Sequence, residues 1–427
     1  MTEMTEATTF NSVQAGEREN ELSDAFRHGI SAARALGLEA RFIPVLDSDP
    51  GAWACELRNG EERVQDGFGL GKGGREAARV GALFEALEHY VSEKDYFDPG
   101  SVRSERAHTL SRADGALNQD QAVQLFNEFP DGDIGCLEYE EISSGSSISV
   151  PIFLSTPGYV DADPSFRAAL GDTYDYSAVW RYSSNNGWAS GVTAAEATVH
   201  ALNEVVERDA FSMLLIHQFL RRPRQPLRVV DRSTLPPELS RLVELADEVT
   251  GRTVYLIDMT SDLSVPSYLA FLPPKNGDPA RIRGCGASLS SDHAAQRALS
   301  ELIQIQGAAQ FKDSESVFPS AMFPRHDGTR EYPALRACRL ADFAGRLPTA
   351  DMVSFESTSH PATPQEHLDE LLRQLSGQGY SVLRRQAVTP EGLAVVNIFV
   401  PGLERFMLVT DGVLVLPGPR GRSFMGG

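Results

Sequence analysis

The stretch ALNEVVERDA, residues 201–210, sets Glu204 and Glu207 into a run that is otherwise largely apolar. Residues three apart share a helix face, and Val199, Leu202, Val206, Ala210 and Met213 form a separate apolar stripe at helical spacing. Both acids therefore point one way, beside the core. A surface helix can carry such a pair for an i,i+4 contact, here Glu204 with Arg208, worth roughly a few tenths of a kcal/mol. The arrangement recurs, however. ALFEALEHY (82–90) and ALSELIQIQ (298–306) repeat Ala-Leu, then an acid, then Glu or Gln three later.

Extended backwards, the sets are Ala78, Gly81, Glu85, Glu88; Ala197, His200, Glu204, Glu207; and Ala294, Arg297, Glu301, Gln304. Each steps by three, four and three, which places it on one helix face with a small residue first. Several carboxylates converging in one pocket need cations, because unpaired charge is costly to bury. An oxygen-rich set of this kind suits Mg2+, which keeps waters and binds through a few carboxylates plus a substrate phosphate.

The composition narrows the partners. With 39 basic against 59 acidic residues and a net charge of −20, a nucleic-acid backbone or an anionic lipid surface is disfavoured. A basic or polar peptide, or a nucleotide carried by Mg2+, fits better. Cys55, Cys136, Cys285 and Cys338 show neither a CxxC pair nor metal-ligand spacing, so no zinc site or disulfide framework is expected and a reducing cytoplasm is the default location. The first twenty residues lack an apolar signal region, and no run approaches the ~18 apolar residues that span a bilayer.

Along the chain, LSDAFRHGISAARALG (22–37) reads as a helix, and strands at 52–57 and 62–65 flank an Asn59-Gly60 hairpin turn. GFGLGKGG (67–74) reads as a glycine-rich loop leading into the first acidic helix. Gly69, Gly71 and Gly74 match GxGxxG, but the stretch follows an antiparallel hairpin and not the first strand of a βαβ unit. It also fails as a phosphate loop, since Asp66 and Gly73 replace the required Gly and Ser/Thr. Anion binding at the following helix N-terminus, with Lys72 near phosphate, remains the expectation. YSSNNGWASG (182–191) reads as a turn opening the second acidic helix. Residues 331–364 read as loop-rich, 365–377 as helix, 380–384 and 394–400 as strands, and the tail GVLVLPGPRGRSFMGG as non-helical. A mixed α/β (α+β) architecture follows.

GKGGREAARVGALFEALEHY, SSNNGWASGVTAAEATVHALNEVVERDAF and GCGASLSSDHAAQRALSELIQIQ, in that order, resemble the three nucleotide-site motifs of the YcaO superfamily. The resemblance covers about residues 60–425 and implies a YcaO-type fold with mixed sheets and three acidic helices lining the nucleotide site. By composition residues 1–20 read as a disordered tail, with 21–66 a helix and hairpin of the same unit, and the resemblance makes 67–400 an ATP-binding catalytic domain and 401–427 a carboxy tail. It implies ATP and Mg2+ as cofactors, with Glu85, Glu88, Glu204 and Glu207 as metal ligands. Lys72, Ser184, Asn186, Glu196, Arg208, Arg297 and Gln304 would contact nucleotide, and Glu301 either nucleotide or metal. Two positions depart from the family: Gly81 stands where Ser is usual, and His89 where Arg is usual.

The implied chemistry is activation of a peptide backbone amide. In the azoline-forming branch, a Cys, Ser or Thr side chain adds to the preceding carbonyl, and phosphorylation makes the oxygen a leaving group. Arg208 would neutralise charge, and a proline-rich tail, here Pro417 and Pro419, would reach the active site. Related branches make thioamides or macroamidines. Partners implied are a precursor peptide, a leader-binding protein like the ubiquitin-activating enzymes, a flavin dehydrogenase, and a homodimer or larger hetero-complex; no leader-gripping element is read in residues 1–60. A di-iron carboxylate protein would want Glu-x-x-His pairs, which none of the three helices has. A scaffold that binds ATP without turnover is the other alternative.

Overall fold

The computed structural model describes residues 15–93, 98–113, 115–273, 275, 283–311 and 340–425. The chain begins with helix α1 (Leu22–Ala35), closed by Gly37 at φ +76°, and a meander of β1 (Glu39–Leu46), β2 (Gly51–Asn59) and β3 (Glu62–Gly73). Gly60, at φ +61°, supplies the left-handed turn that Asn59-Gly60 signals. The hairpin strands are longer than expected. β3 takes in the whole glycine-rich stretch, which pairs with β2 from Asn59↔Glu62 to Gly51↔Gly73. The expected anion-binding loop at 67–74 is therefore a strand, and Lys72 projects from it.

A second sheet has the order β4-β5-β13-β14-β7, where β4 is Arg103–Arg106, β5 Asp133–Glu141, β7 Trp188–Gly191, β13 Leu383–Gln386 and β14 Ala394–Phe399; β6 (Ser147–Pro151) also pairs with β5. A third has the order β11-β10-β9-β8-β12, from β8 (Arg228–Val230), β9 (Tyr255–Asp258), β10 (Ser267–Phe271), β11 (Arg283–Ala287) and β12 (Asp351–Val353). Only β12 against β8 is parallel among the described pairs. β8, β9, β10 and β11 pair antiparallel in turn, and the fold is mixed α+β.

Each sheet carries one acidic helix: α2 (Arg75–Ser92) on β3, α3 (Ala194–Leu215) on β7 and β14, and α5 (Ser291–Gln310) on β11. The helix Pro237–Thr250 (α4) covers the third sheet beside α5, and α6 (Pro364–Gly377) packs on α3. α3 is the centre of the molecule. From Glu196 to Ile216 every residue except His200, Glu204 and Arg208 is buried, so it is not the two-faced helix that one apolar stripe suggests. Thr193 caps its start, its Oγ1 accepting from Glu196 N at 3.2 Å. No helix among the described residues is long and apolar enough to cross a membrane.

Both ends of the chain depart from expectation. Residues 15–20, placed in a disordered tail on polar composition, are docked, with Ala15 and Glu17 buried. The carboxy tail, expected to be non-helical, contains a short helix, Pro419–Ser423 (α7); proline suits its first position because its missing N–H has no intrahelical partner there. Part of the loop-rich expectation at 331–364, and Cys338, lie outside the described residues. Cys55, Cys136 and Cys285 are buried free thiols.

Candidate active site

The glycines of β3 and β11 set how closely the acidic helices approach. A Cβ at Gly71 would stand 1.7 Å from the Ala78 carbonyl oxygen, and one at Gly69 2.3 Å from Ala86 N. Gly284 and Gly286 repeat this on α5, at 2.0 Å from the Ala298 oxygen and 2.1 Å from the Ala294 oxygen. Helix backbone therefore lies directly on strand backbone.

Packing on both flanks leaves a narrow open strip along each helix. On α3 the strip is His200, Glu204, Arg208; on α5 it runs through Arg297 and Glu301; on α2 it includes Gly81 and Glu85. These residues step by four, whereas the 3-4-3 spacing put Glu207 and Gln304 on the same open face. Both are instead buried on the flank.

The strips meet. Lys72 Nζ on β3 lies 2.5 Å from Glu301 Oε2 on α5, and Cys285 N on β11 donates to Glu301 Oε1 at 3.5 Å. Ser190 Oγ on β7 donates to the Phe84 carbonyl at 3.0 Å and stands 3.3 Å from Glu88 Oε2, joining α2 to the second sheet. Gly187 N donates to Glu204 Oε1 at 3.3 Å. Gly187 sits at φ +84° where a Cβ would be 2.0 Å from the Ile398 oxygen, so the Ser184–Gly187 turn can press against β14 only with glycine there. Within that turn Asn186 N donates to Ser184 Oγ at 3.2 Å.

Crowded carboxylates respond as like charges in a desolvated space should. Burial, then Glu204 and Glu85, pushes the Glu88 carboxyl well above its ordinary 4.5. Burial likewise raises Glu85, and burial with the neighbouring Glu301 pushes Glu207 up to about 7. Burial acts the same way on Glu301, but Lys72, with Arg208 and Arg297, outweighs it and holds that carboxyl low. Against its own burial, Arg208 is kept firmly charged by Glu204, Glu207 and Glu301.

This constellation fits a nucleotide with Mg2+. Among the described residues, Arg208 Nε, Arg297 Nε and Asn186 Oδ1 are buried polar atoms without a hydrogen-bond partner. The first two are donors suited to an anion, and a divalent cation would relieve the burial that raises Glu85, Glu88 and Glu207. Among the described residues no three His, Cys, Asp or Glu side chains form a metal cage by themselves. Mg2+ held through one or two carboxylates and phosphate oxygens needs none.

Of the expected site residues, Lys72, Glu85, Glu88, Glu204, Glu207, Arg208, Arg297 and Glu301 are brought together, with Ser184 and Asn186 on the adjoining turn and Gln304 buried behind Glu301. Glu196 is engaged within the protein. Its Oε1 accepts from Glu19 N at 2.8 Å and Asn20 Nδ2 at 3.3 Å, and its Oε2 from Val192 N at 3.0 Å. Pro417 and Pro419 lie where the tail packs on Glu404: Gly418 N and Gly421 N donate to that carboxylate at 3.0 and 2.6 Å. Among the described residues no hydrogen bond links residues 417–423 to Glu85, Glu88, Glu204, Glu207 or Glu301. His89 turns aside, its Nδ1 2.6 Å from the Phe68 carbonyl. Sequence reasoning missed Ser190 and the segment around Glu17 and Arg18, which have no local pattern to announce them.

A family model described as YcaO cyclodehydratase, ATP- and Mg2+-binding, matches residues 70–404. The chain is 28% identical over 356 residues to an uncharacterized protein in the tfuA 3' region of Rhizobium leguminosarum bv. trifolii, covering 78% of this chain and 76% of that protein. It is 30% identical over 235 residues to an uncharacterized protein of Methanothermobacter thermautotrophicus, covering 54% and 58% of the two. Among solved structures, YcaO from Methanopyrus kandleri bound with AMPPCP and Mg2+ superposes with a TM-score of 0.64 at 18% identity, over 94% of this chain and 96% of that one. A heterocyclase in complex with substrate and cofactor gives 0.63 at 17% identity; the match covers 96% of this chain and spans only 58% of that one. The E. coli microcin synthetase McbBCD complex gives 0.54 at 12% identity, over 85% and 87%. These superpositions establish the fold, and the family model, which matches most of the chain, establishes descent: the chain belongs to the YcaO family of ATP- and Mg2+-binding proteins.

Proposed function

We propose that the chain is an ATP- and Mg2+-dependent cyclodehydratase that phosphorylates backbone amide oxygens of a ribosomally made precursor peptide, closing thiazoline or oxazoline rings at Cys, Ser or Thr. Bound Mg-ATP supplies the phosphoryl group that turns the amide oxygen into a leaving group. Glu85, Glu88, Glu204 and Glu207 would hold the metal ions between them, and Glu301, engaged by Lys72, would meet either metal or nucleotide. Arg208 and Arg297 offer unpartnered donors to the phosphates, where a preorganised cation acts most strongly on developing charge. Ser184 and Asn186, on the turn whose Gly187 N reaches Glu204, and Gln304, three residues beyond Glu301 on α5, would contact the nucleotide. The observation that carries this reading is the meeting of three acidic strips around two buried arginine Nε donors without partners.

Glu204→Gln and Glu207→Gln are expected to abolish peptide-dependent phosphate release while leaving the thermal melt without Mg-ATP nearly unchanged. Unaltered turnover in both would return the pair to a structural role. Delivery of the peptide is assigned to a leader-binding partner, in keeping with the McbBCD complex solved with pro-MccB17 bound. A docked partner raises local peptide concentration to about the millimolar range.

The tail favours a second reading, in which an external nucleophile such as sulfide enters, because Pro417 and Pro419 are anchored on Glu404 and not on the carboxylates. Mass spectrometry of a peptide co-expressed with the chain separates the two. Loss of one water per site supports the ring, and oxygen-to-sulfur exchange supports the thioamide.

A further inference from the structure

Residues 15–20, AGEREN, are held by groups that the proposed reaction does not use. The Ala15 carbonyl accepts from His367 Nε2 at 2.6 Å. Gly16 turns at φ +70° where a Cβ would be 2.6 Å from the Pro361 oxygen, so the corner requires glycine. Glu17 buries its carboxylate: Oε1 accepts from Ser288 Oγ at 2.5 Å and Asn203 Nδ2 at 3.1 Å, and Oε2 lies 3.6 Å from His293 Nε2. Glu19 N and Asn20 Nδ2 hold Glu196. The segment thus ties α3 to the start of α5, the two helices that carry Arg208 and Arg297.

Arg18 is half exposed and faces the site. Its Nη2 is 3.2 Å from His200 Nδ1, and its Nη1 is 3.9 Å from Glu196 Oε2. Across the same ring, Arg297 Nη2 is 3.3 Å from His200 Nε2. A neutral imidazole has one lone pair and one N–H, so it accepts from only one of the two guanidinium groups. Burial, reinforced by the charges of Arg297, Arg18 and Lys72, holds His200 well below its ordinary range and so neutral. Arg18 and Arg297 therefore compete for a single acceptor.

We propose that residues 15–20 form a strap belonging to the nucleotide site, with Arg18 and His200 as positioning residues that couple strap docking to nucleotide binding. An anion that draws Arg297 away from His200 frees the lone pair; the ring proton moves from Nδ1 to Nε2, and Nδ1 accepts from Arg18. The strap is then held more tightly. Because coupling between two binding events is reciprocal, a docked strap raises nucleotide affinity by the same factor. The proposal rests on Arg297 being a nucleotide contact.

The test is calorimetric binding of Mg2+ with the non-hydrolysable analogue AMPPCP to the full chain. Arg18→Ala is expected to weaken binding by about fivefold or more, the low end of ordinary coupling. In a His200→Leu background, where neither guanidinium has a ring nitrogen to gain or lose, the same substitution is expected to have little effect. In the parent chain, nucleotide should slow hydrogen exchange at the Glu19 amide; in Arg18→Ala it should not. Thermal melts check that each variant is folded, and Arg18, being half exposed, can be truncated without opening the core. If the parent chain does not bind Mg-AMPPCP, the nucleotide reading fails and the strap proposal with it. If it binds and Arg18→Ala either binds equally well with unchanged Glu19 protection or loses as much affinity in the His200→Leu background, the strap proposal alone is overturned.

Discussion

Residues 15–20 and residues 417–423 both dock on α3, the first through Asn203 and the second through Asp209, but they are held by different chemistry. The strap presents a carboxylate, Glu17, to neutral donors and to His293, and leaves its own cation, Arg18, facing the active site. The tail presents a guanidinium. Arg420 Nε and Nη2 reach both oxygens of Asp209 at 2.9 and 3.0 Å, the same group reaches Asp262 at 2.6 and 3.0 Å, and Glu404 takes two backbone N–H groups beside it. The side chains of Arg420 and Asp209 are 5% and 0% exposed, against 47% for Arg18. A closed, fully desolvated ion pair resists opening, whereas a carboxylate held by dipoles beside a half-exposed cation can respond to what binds next to it. The two ends differ as a fixed anchor differs from a responsive one.

The largest effect expected is on the tail. Arg420→Ala strands Asp209 in the core, and breaking one partner of a buried pair costs about 3–5 kcal/mol. Urea denaturation reads this, and a loss no larger than that of a surface substitution would remove the distinction between the ends. Glu17→Ala is expected to cost less, about 1–3 kcal/mol for the unpaired Ser288 and Asn203 donors. Unlike Arg420→Ala, it should also weaken Mg-AMPPCP binding.

The two ends should also respond oppositely to pH. Burial pushes Glu404 up to about 7 from 4.5, so between those values the folded chain holds a proton that the unfolded chain has released, and stability falls as pH rises. Burial holds His293 down to about 4 from 6.5, so the unfolded chain takes up a proton that the folded one refuses, and stability is lost as pH falls through that window. Denaturation midpoints across the range should show Glu404→Gln removing the first slope and His293→Gln the second. Slopes that persist in both variants would assign the pH dependence to other groups.

The smallest effect is a control on α2. Gly81 is exposed, and a Cβ there meets only Gly71 Cα, at 3.4 Å. Gly81→Ser should change stability by less than about 0.5 kcal/mol and leave nucleotide affinity equal or improved. A shift as large as that of Glu17→Ala would undo the ranking of these contacts.

The acidic helices and the family were legible because helical spacing and three ordered motifs are properties of short stretches. What was not legible depends on partners far along the chain. Glu17, Asn20 and Ala15 meet groups 186 or 271, 176 and 352 residues away, so a polar AGEREN has the composition of a loose tail without being one. Gly69-x-Gly71 has the composition of a turn, and only the closeness of Ala78 and Ala86 reveals glycines that admit a helix backbone. The 3-4-3 spacing identified the right helices but not the open strip, because which flank of α3 and α5 is covered is decided by the sheets and not by the helix period.

The seating of α2 and α5 on glycine has a bearing on how such a chain can drift. Where Gly71 meets the Ala78 carbonyl and Gly284 the Ala298 carbonyl, no side chain lies between, so exchanging one core residue for another cannot retune the separation of the helices. Positions on the open strips are less constrained where they stand off the frame, as a side chain at Gly81 would meet only Gly71 Cα and His200 is met at its ring nitrogens. Over many generations a position such as Gly81 can therefore be exchanged singly, while the glycines beneath the helices stay as they are.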